Sequence, residues 1–378
     1  MKIAIDATPW MPQPSGMGFY VANLIQALND LQSFEEFELE LIYQPRLQHW
    51  LKGDLSVPNH LHPFANQIRR FPIPVRLSNL WIKFPRSLSG FESYFGVPDI
   101  FHGTNYTVFP LKKSRRVMTL YDLTFIKYPQ YANATVKAYA DRVRQCLKWT
   151  DLVLTISEHS KQDICNYLNV DPSRVWVTPL ASRYSAECST AALETVLFDQ
   201  PYILFVSTIE PRKNITTLID AFDDLKQKYK LDHQLVLIGQ KGWLYQPIFE
   251  RIARSPFCSS IHHLSYLSDQ LVAQYYANAD VFVYPSYYEG FGMPVLEAMT
   301  LGAPVITSNV SSLPEVAGDA AILVNPRDRA ALAESILSVI SDRELRNQLI
   351  QKGRDRALLY SWENTAKKTL KAYRFLAG

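Results

Sequence analysis

Two glutamates, Glu289 and Glu297, stand eight positions apart, with Gly290-Phe291-Gly292-Met293-Pro294 between them. A turn with two glycines leaves backbone N–H groups unshielded. The start of the helix that follows adds unpaired N–H groups and the positive end of its dipole. That combination holds phosphate. A carboxylate ahead of the turn suits sugar hydroxyls, and one two helical turns on suits a ribose diol. Read in isolation, the same spacing is equally an ordinary strand-loop-helix unit with two solvated glutamates.

Three further groups of residues carry chemistry. Glu210-Pro211-Arg212-Lys213-Asn214 follows an apolar run and precedes a helical one. Arginine offers a planar fork and lysine a point charge, and both suit a departing diphosphate. No D-x-D occurs anywhere in the chain, so cationic side chains and helix termini are expected to stabilise that charge. Pro14-Ser15-Gly16-Met17-Gly18 reads as a turn opening a helix near Phe19, its glycines permitting close approach of a ligand to the backbone. His102 and the pair Tyr121-Asp122 close neighbouring strand candidates, which puts them at the lip of a cleft.

These residues need elements to position them, and the hydrophobic pattern supplies a consistent set. Short apolar runs alternate with helical stretches, as in a parallel sheet covered by helices. Strands are predicted at Ile3–Ile5, Leu39–Tyr43, Ile100–His102, Val117–Leu120, Leu152–Ile156 and Val175–Val177. A second series runs Tyr202–Ser207, Gln234–Ile238, Ile261–Leu264, Val281–Tyr284, Val305–Thr307 and Ile322–Val324. Helices are predicted at Gly18–Asp30, Ala134–Trp149 and Ser157–Asn169, the last capped by Ser157. The fold class is therefore α/β: two doubly wound, Rossmann-like domains facing a central cleft at the carboxyl ends of the strands. Motifs thin out over Ser182–Gln200, giving domains of 1–185 and 186–361.

The whole chain resembles the retaining glycosyltransferases of family four, which have the two-domain GT-B fold. The likeness rests on IDATPWMPQPSGMGFYVANLIQAL, DIFHGTNYTVFP, VMTLYDLTFIKYP, DLVLTISEHSKQDI, YILFVSTIEPRKNITTLIDAF and the segment from Val281 to Pro326. The resemblance implies that the final helix, within 362–378, crosses back onto the first domain. It implies donor binding by Gly16, Gly18, Arg212, Lys213, Gly290, Phe291, Gly292, Met293 and Glu297, with Glu289 orienting the donor hexose. The family has histidine before the aspartate of the Asp-Leu pair, and this chain has Tyr121 there. The histidine's role is thus expected to be shared among His102, Tyr121 and Asp122. The implied substrates are a nucleotide diphosphate sugar, GDP-mannose first and a UDP-hexose second, and a glycan or lipid-linked acceptor. No cofactor and no metal are implied. A catalytically silent sugar-nucleotide-binding module is the rival reading.

With 378 residues, 47% hydrophobic and 20% charged, the chain is a globular protein of two-domain size. A net charge of +3 gives no case for a nucleic-acid partner. The surplus is local: residues 1–185 carry 20 Lys/Arg against 15 Asp/Glu. Within Val57–Phe91 lie Arg69, Arg70, Arg76, Lys83 and Arg86 with no acid, interleaved with Phe71, Leu80, Trp81, Ile82 and Phe84. Lys112, Lys113, Arg115 and Arg116 add a second cluster. Such segments suit an anionic membrane surface. The four cysteines lack disulfide or zinc spacing and read as buried thiols of a reducing compartment. The expected location is cytoplasmic, peripheral at the inner face of the plasma membrane.

Overall fold

The computed structural model describes residues 1–11, 16–84, 89–131, 138–189 and 200–378. The chain divides into two compact units. One gathers Met1–Lys127, the stretch ending at Leu180 and the C-terminal Trp362–Gly378; the other gathers the segment from Tyr128 and Ala181–Ser361. The expected boundary overlaps residues 190–199, which lie outside the described residues.

Among the described residues the first unit has a sheet of seven strands. They are β1 (Lys2–Asp6), β2 (Glu38–Tyr43), β3 (Ile68–Arg70), β4 (Ile100–Gly103), β5 (Arg115–Thr119), β6 (Leu152–Thr155) and β7 (Val175–Val177). Their order is β3-β2-β1-β4-β5-β6-β7, with every pairing parallel. The second unit repeats the plan with β8 (Tyr202–Val206), β9 (Gln234–Ile238), β10 (Ile261–Leu264), β11 (Val281–Tyr284), β12 (Val305–Ser308) and β13 (Ala321–Val324). Its order is β10-β9-β8-β11-β12-β13, again parallel. Helices cover both faces of such a sheet, so central strands such as Tyr202–Val206 read as unbroken apolar runs and are wholly buried. Strand order reverses between β1 and β4 and again between β8 and β11, and each reversal opens a crevice at the carboxyl ends of those strands.

Local sequence explains most element ends. Ser157 caps the helix Glu158–Leu168, accepting the Ser160 N–H at 3.0 Å, and Asn169 stops it in the left-handed region at φ 52°. The first helix, Gly16–Leu31, buries Tyr20, Val21, Leu24, Ile25, Leu28 and Leu31 at helical spacing. It begins at Gly16 and not near Phe19. The helix expected at Ala134–Trp149 is present as Tyr139–Leu147, its first expected positions lying outside the described residues. Of the cysteines, Cys146 alone is buried and Cys258 is exposed, so the expectation of buried thiols holds only in part.

The strand β3 was hidden in the basic segment. Two of its three residues are arginines, tolerable because it is an edge strand. Arg69 pairs with Glu40 on β2 at 2.6 Å. Phe71 is fully buried, in ring contact with Phe95 and Phe109. Arg116 is likewise engaged, gripping Asp151 through two nitrogens at 2.8 and 2.9 Å. Arg69 and Phe71 of the basic segment are thus part of the fold, while Arg70, Arg76 and Lys83 stay exposed.

The C-terminal helix Trp362–Ala377 packs on the first helix. Its Tyr373, fully buried, brings its hydroxyl within 2.7 Å of His102 Nδ1, while His102 Nε2 meets Thr119 Oγ1 at 2.7 Å. The expectation that His102 stands at a cleft lip is corrected here. The side chain has no exposed surface, and two hydroxyls occupy both ring nitrogens. Burial lowers its pKa from 6.5 to about 3, so it is neutral in the folded protein.

A group whose folded pKa lies below its unfolded value contributes stability that is complete above the unfolded pKa and is lost as pH falls towards the folded one. For His102 that window runs from 6.5 down to about 3. Between pH 7 and 5.5, above the main carboxylate range, about 1 kcal/mol of stability should disappear. Thermal melts of the wild type should fall by a few degrees over that interval. A folded His102→Gln variant should show a flatter profile; an unchanged slope would place the titrating group elsewhere.

Candidate functional site

In the second unit, the loops after β8 and β11 converge at the order reversal. After β8 the chain makes a 3-10 turn, Pro211–Lys213, and turns into the helix Ile215–Tyr229 through Asn214 at φ 59°. Asparagine tolerates this left-handed conformation. Its Nδ2 also donates to the carbonyls of Pro285 at 3.0 Å and Pro326 at 2.7 Å, tying the turn to the loops after β11 and β13. On the other side, Ser311 Oγ accepts the Glu289 N–H at 3.0 Å. Ser312 Oγ donates to the carbonyls of Glu289 and Phe291 at 3.0 and 2.8 Å. Gly292 holds φ 109° as the N-cap of the helix Met293–Leu301. A Cβ there would be strained and would stand 2.8 Å from Leu313 Cδ2, so only glycine fits.

This scaffold brings Glu289, Arg212 and Lys213 into one buried cluster. Lys213 Nζ donates to Glu289 Oε1 at 2.7 Å and to the Tyr284 hydroxyl at 2.7 Å, and that hydroxyl donates to the same carboxylate oxygen at 3.0 Å. Arg212 Nη1 lies 3.0 Å from Glu289 Oε2. Arg212 also donates to the Tyr288 carbonyl at 2.5 Å and, through Nη2, to Glu210 at 2.8 Å. Glu289 is 7% exposed and Lys213 6%. Burial alone would push the Glu289 carboxyl up, but Arg212 and Lys213 outweigh it and hold the pKa down at about 2. Burial and Arg212 both work against the charge on Lys213, yet Glu289 prevails and the lysine's pKa is raised. All three groups are therefore charged at neutral pH. Glu289 shares its oxygens with both cations, so an entering diphosphate would compete with it for Arg212 and Lys213, while the carboxylate stays beside the same ligand.

The rest of the donor set divides. Met293 opens its helix half-buried. Phe291 is buried with its ring against Tyr360, centroids 5.7 Å apart, so what this position offers a ligand is backbone. Glu297 lies on the second turn of the helix and is 3% exposed. Its Oε1 meets Arg183 Nε at 2.9 Å and its Oε2 accepts from the Tyr276 hydroxyl at 3.3 Å. The partners Glu210, Tyr284, Ser311 and Ser312 were given no role from sequence, although all four sit inside the motif segments that carry the resemblance. Arg183 gave no signal at all.

The first-unit residues do not assemble as expected. Gly16 and Gly18 lie in the first turn of the first helix, with Pro14 and Ser15 outside the described residues. A Cβ at Gly16 would meet nothing within 4 Å, so the fold itself makes no demand for glycine there. Tyr121 is buried, and its hydroxyl donates to the Thr104 carbonyl at 2.5 Å. The expectation that Tyr121 shares the histidine's role is corrected: the Thr104 carbonyl takes its hydroxyl proton, leaving none to donate to a ligand. Asp122 accepts the Thr124 N–H at 3.0 Å and so starts the short helix Thr124–Lys127. Asp6, which sequence reasoning passed over, ends β1 beside the order reversal, and burial raises its pKa. Among the described residues no group of three or more His, Cys, Asp or Glu side chains is placed to hold a metal.

Two doubly wound parallel α/β units, with a cation–carboxylate cluster where the second sheet reverses its order, have the architecture of GT-B glycosyltransferases. The sequence profile of the glycosyl transferases of group 1 matches residues 195–356. Over its full length the chain is 33% identical to the O-antigen chain mannosyltransferase B of Escherichia coli, also covered completely. The chain belongs to the group 1 glycosyltransferases. Among solved structures, a sucrose-phosphate synthase from Thermosynechococcus elongatus superposes with a TM-score of 0.76 at 21% identity, covering 100% of this chain and 99% of that one. An Anabaena protein solved in complex with UDP and glucose gives 0.72 at 15% identity, covering 98% of each chain.

The shared cations make a clear prediction for nucleoside diphosphate binding. Glu289→Gln should leave the affinity for GDP or UDP unchanged or raise it up to about tenfold, because the competing anion is gone. Lys213→Ala should weaken the same binding by about tenfold or more. Calorimetric titration compares the two, and equal losses would show that the roles have been assigned wrongly.

Proposed function

We propose that this glycosyltransferase moves a hexose, mannose from GDP-mannose, to a hydroxyl of a glycan or lipid-linked acceptor, with retention of anomeric configuration. The observation that carries the reading is the buried cluster of Glu289, Arg212 and Lys213 beside the start of the helix Met293–Leu301. The full-length similarity to a mannosyltransferase of O-antigen chains supports the sugar. The Anabaena complex with UDP and glucose keeps a UDP-hexose as the second donor.

In this scheme the donor's diphosphate lies against Lys213, Arg212 and the amides from Gly290 to Met293, and Glu289 accepts hydroxyls of the hexose. The C1–O bond to phosphate breaks with its electron pair going to the phosphate oxygen. The acceptor oxygen bonds to C1 from the same face, and its proton passes to the departing phosphate. The protein's part is positioning and charge stabilisation. Arg212 and Lys213 supply the positive charge, so no metal and no cofactor enter the scheme.

Incubation with a panel of GDP- and UDP-sugars, read by the anomeric proton coupling of the product, tests this. GDP-mannose should give the α-linked product, at a rate undiminished by excess chelator. An inverted product would end the same-face mechanism, and activity restored only by magnesium or manganese would end the metal-free one.

The proposed acceptor side includes a membrane surface. On the first unit Trp50, Leu51, Leu55, Leu80 and Phe84 are exposed, and so are Arg46, Lys52, Arg70, Arg76 and Lys83. The helix Leu47–Leu51 is tied to the chain ahead of the helix Val75–Trp81 by a 2.8 Å bond from Trp50 Nε1 to the Pro72 carbonyl. Arg86 lies outside the described residues. Among the described residues no helix is long and apolar enough to cross a membrane, so the reading is of a surface that lies on one. Cosedimentation with phosphatidylglycerol vesicles should exceed that with phosphatidylcholine vesicles and fall with salt and in Leu80→Glu/Phe84→Glu. Equal partition to both lipids would sink it.

A further inference from the structure

The assignment of Glu297 to the nucleotide ribose leaves a physical difficulty. A carboxylate 3% exposed loses most of its hydration, and removing an ion from water costs several kcal/mol unless the protein replaces what water supplied. The helix that carries Glu297 does not do so, since its other buried residues, Val295, Leu296, Ala298, Met299 and Leu301, are apolar. The compensation comes from elsewhere in the second unit. Arg183 Nε meets Oε1 at 2.9 Å, and the Tyr276 hydroxyl donates to Oε2 at 3.3 Å.

Arg183 is itself held by two further groups. Its Nη1 donates to Asp269 at 3.1 Å, on the first turn of the helix Asp269–Ala277. Its guanidinium lies over the Tyr184 ring, 4.8 Å from the centroid, and its side chain is 17% exposed. Held this way, the guanidinium pins Oε1 by a 2.9 Å ion pair, its Nε–H not aligned as a hydrogen bond, and so fixes where the carboxylate sits. Burial still raises the Glu297 pKa, with Arg183 as the largest opposing influence.

We propose that Arg183 is a positioning residue for donor recognition, aiming the Glu297 carboxylate so that its remaining lone pairs accept the ribose hydroxyls. This rests on the reading of Glu297 as the ribose ligand. Arg183 reaches the nucleotide only through Glu297, so its removal costs whatever the ribose hydroxyls contribute and nothing more. A group that touched phosphate, or merely held the fold, would weaken every nucleotide alike.

The test uses the full chain and calorimetric Kd values for GDP, UDP and their 2′-deoxy counterparts. Wild type should prefer each ribonucleotide by about tenfold, the value of a charged hydrogen bond lost with one hydroxyl. Arg183→Met should lower ribonucleotide affinity by about that factor, lower that of the deoxynucleotides, which keep the 3′-hydroxyl, by less, and so narrow the ratio. Arg183→Lys should restore part of the preference and serves if the methionine variant does not fold. Glu297→Gln should act in the same direction, with the double variant no worse than the single ones. A wild type that ignores the 2′-hydroxyl would remove the ribose assignment and the proposal together. A wild type that discriminates beside an Arg183→Met variant that discriminates equally well would overturn the proposal alone. So would equal weakening of ribo- and deoxynucleotides.

Discussion

Glu289 is an ionised carboxylate almost without solvent, and the second unit's site is organised around keeping it so. Two cations, a tyrosine hydroxyl and two serines converge on its side chain and its loop. Removing either cation leaves a buried charge uncompensated, the arrangement proteins tolerate least. Each of the cluster's neighbours can be read as a response to that constraint. Asn214 adopts a left-handed backbone so that Lys213 can end its turn pointing inward. Gly292 turns the chain where a side chain would strike Leu313. The price of the buried ion is met by fixed geometry, and fixed geometry is what a transfer reaction requires of its charge-stabilising groups.

Sequence periodicity carried the fold further than the site. The strands Gln234–Ile238 and Val281–Tyr284 have the bounds read from their apolar runs. A strand buried on both faces must be continuously hydrophobic, so it announces itself. Edge strand β3 escaped notice for the converse reason: Ile-Arg-Arg with one neighbour needs no apolar face. The fold role of Arg69 within the basic segment was missed with it, because nothing local shows that Glu40 waits on the adjacent strand.

Site residues were legible where backbone geometry restricts residue type. Two glycines, a proline and a pair of spaced glutamates mark a turn and a helix start, and Arg212-Lys213 marks a cationic loop. What sequence could not show is which side chain a distant segment delivers. Arg183 against Glu297 and Tyr373 against His102 are tertiary contacts with no periodic trace. A histidine at a strand end looks equally like a catalyst or a core residue until the hydroxyls on both sides of the ring are seen.

The pairing of His102 with Tyr373 spans 271 positions of chain, and it bears on how the protein is made. During synthesis the strands β1 to β7 leave the ribosome well before the helix Trp362–Ala377 exists. Until then the imidazole of β4 lacks one of its partners, and the face of the first helix that packs on the last stands uncovered. The first unit cannot reach its final packing in the order in which it is translated; it must wait for the second unit's residues to be added. A contact of such separation slows closure and prolongs the exposure of apolar surface. The nascent first unit therefore keeps apolar surface exposed until the chain is nearly complete.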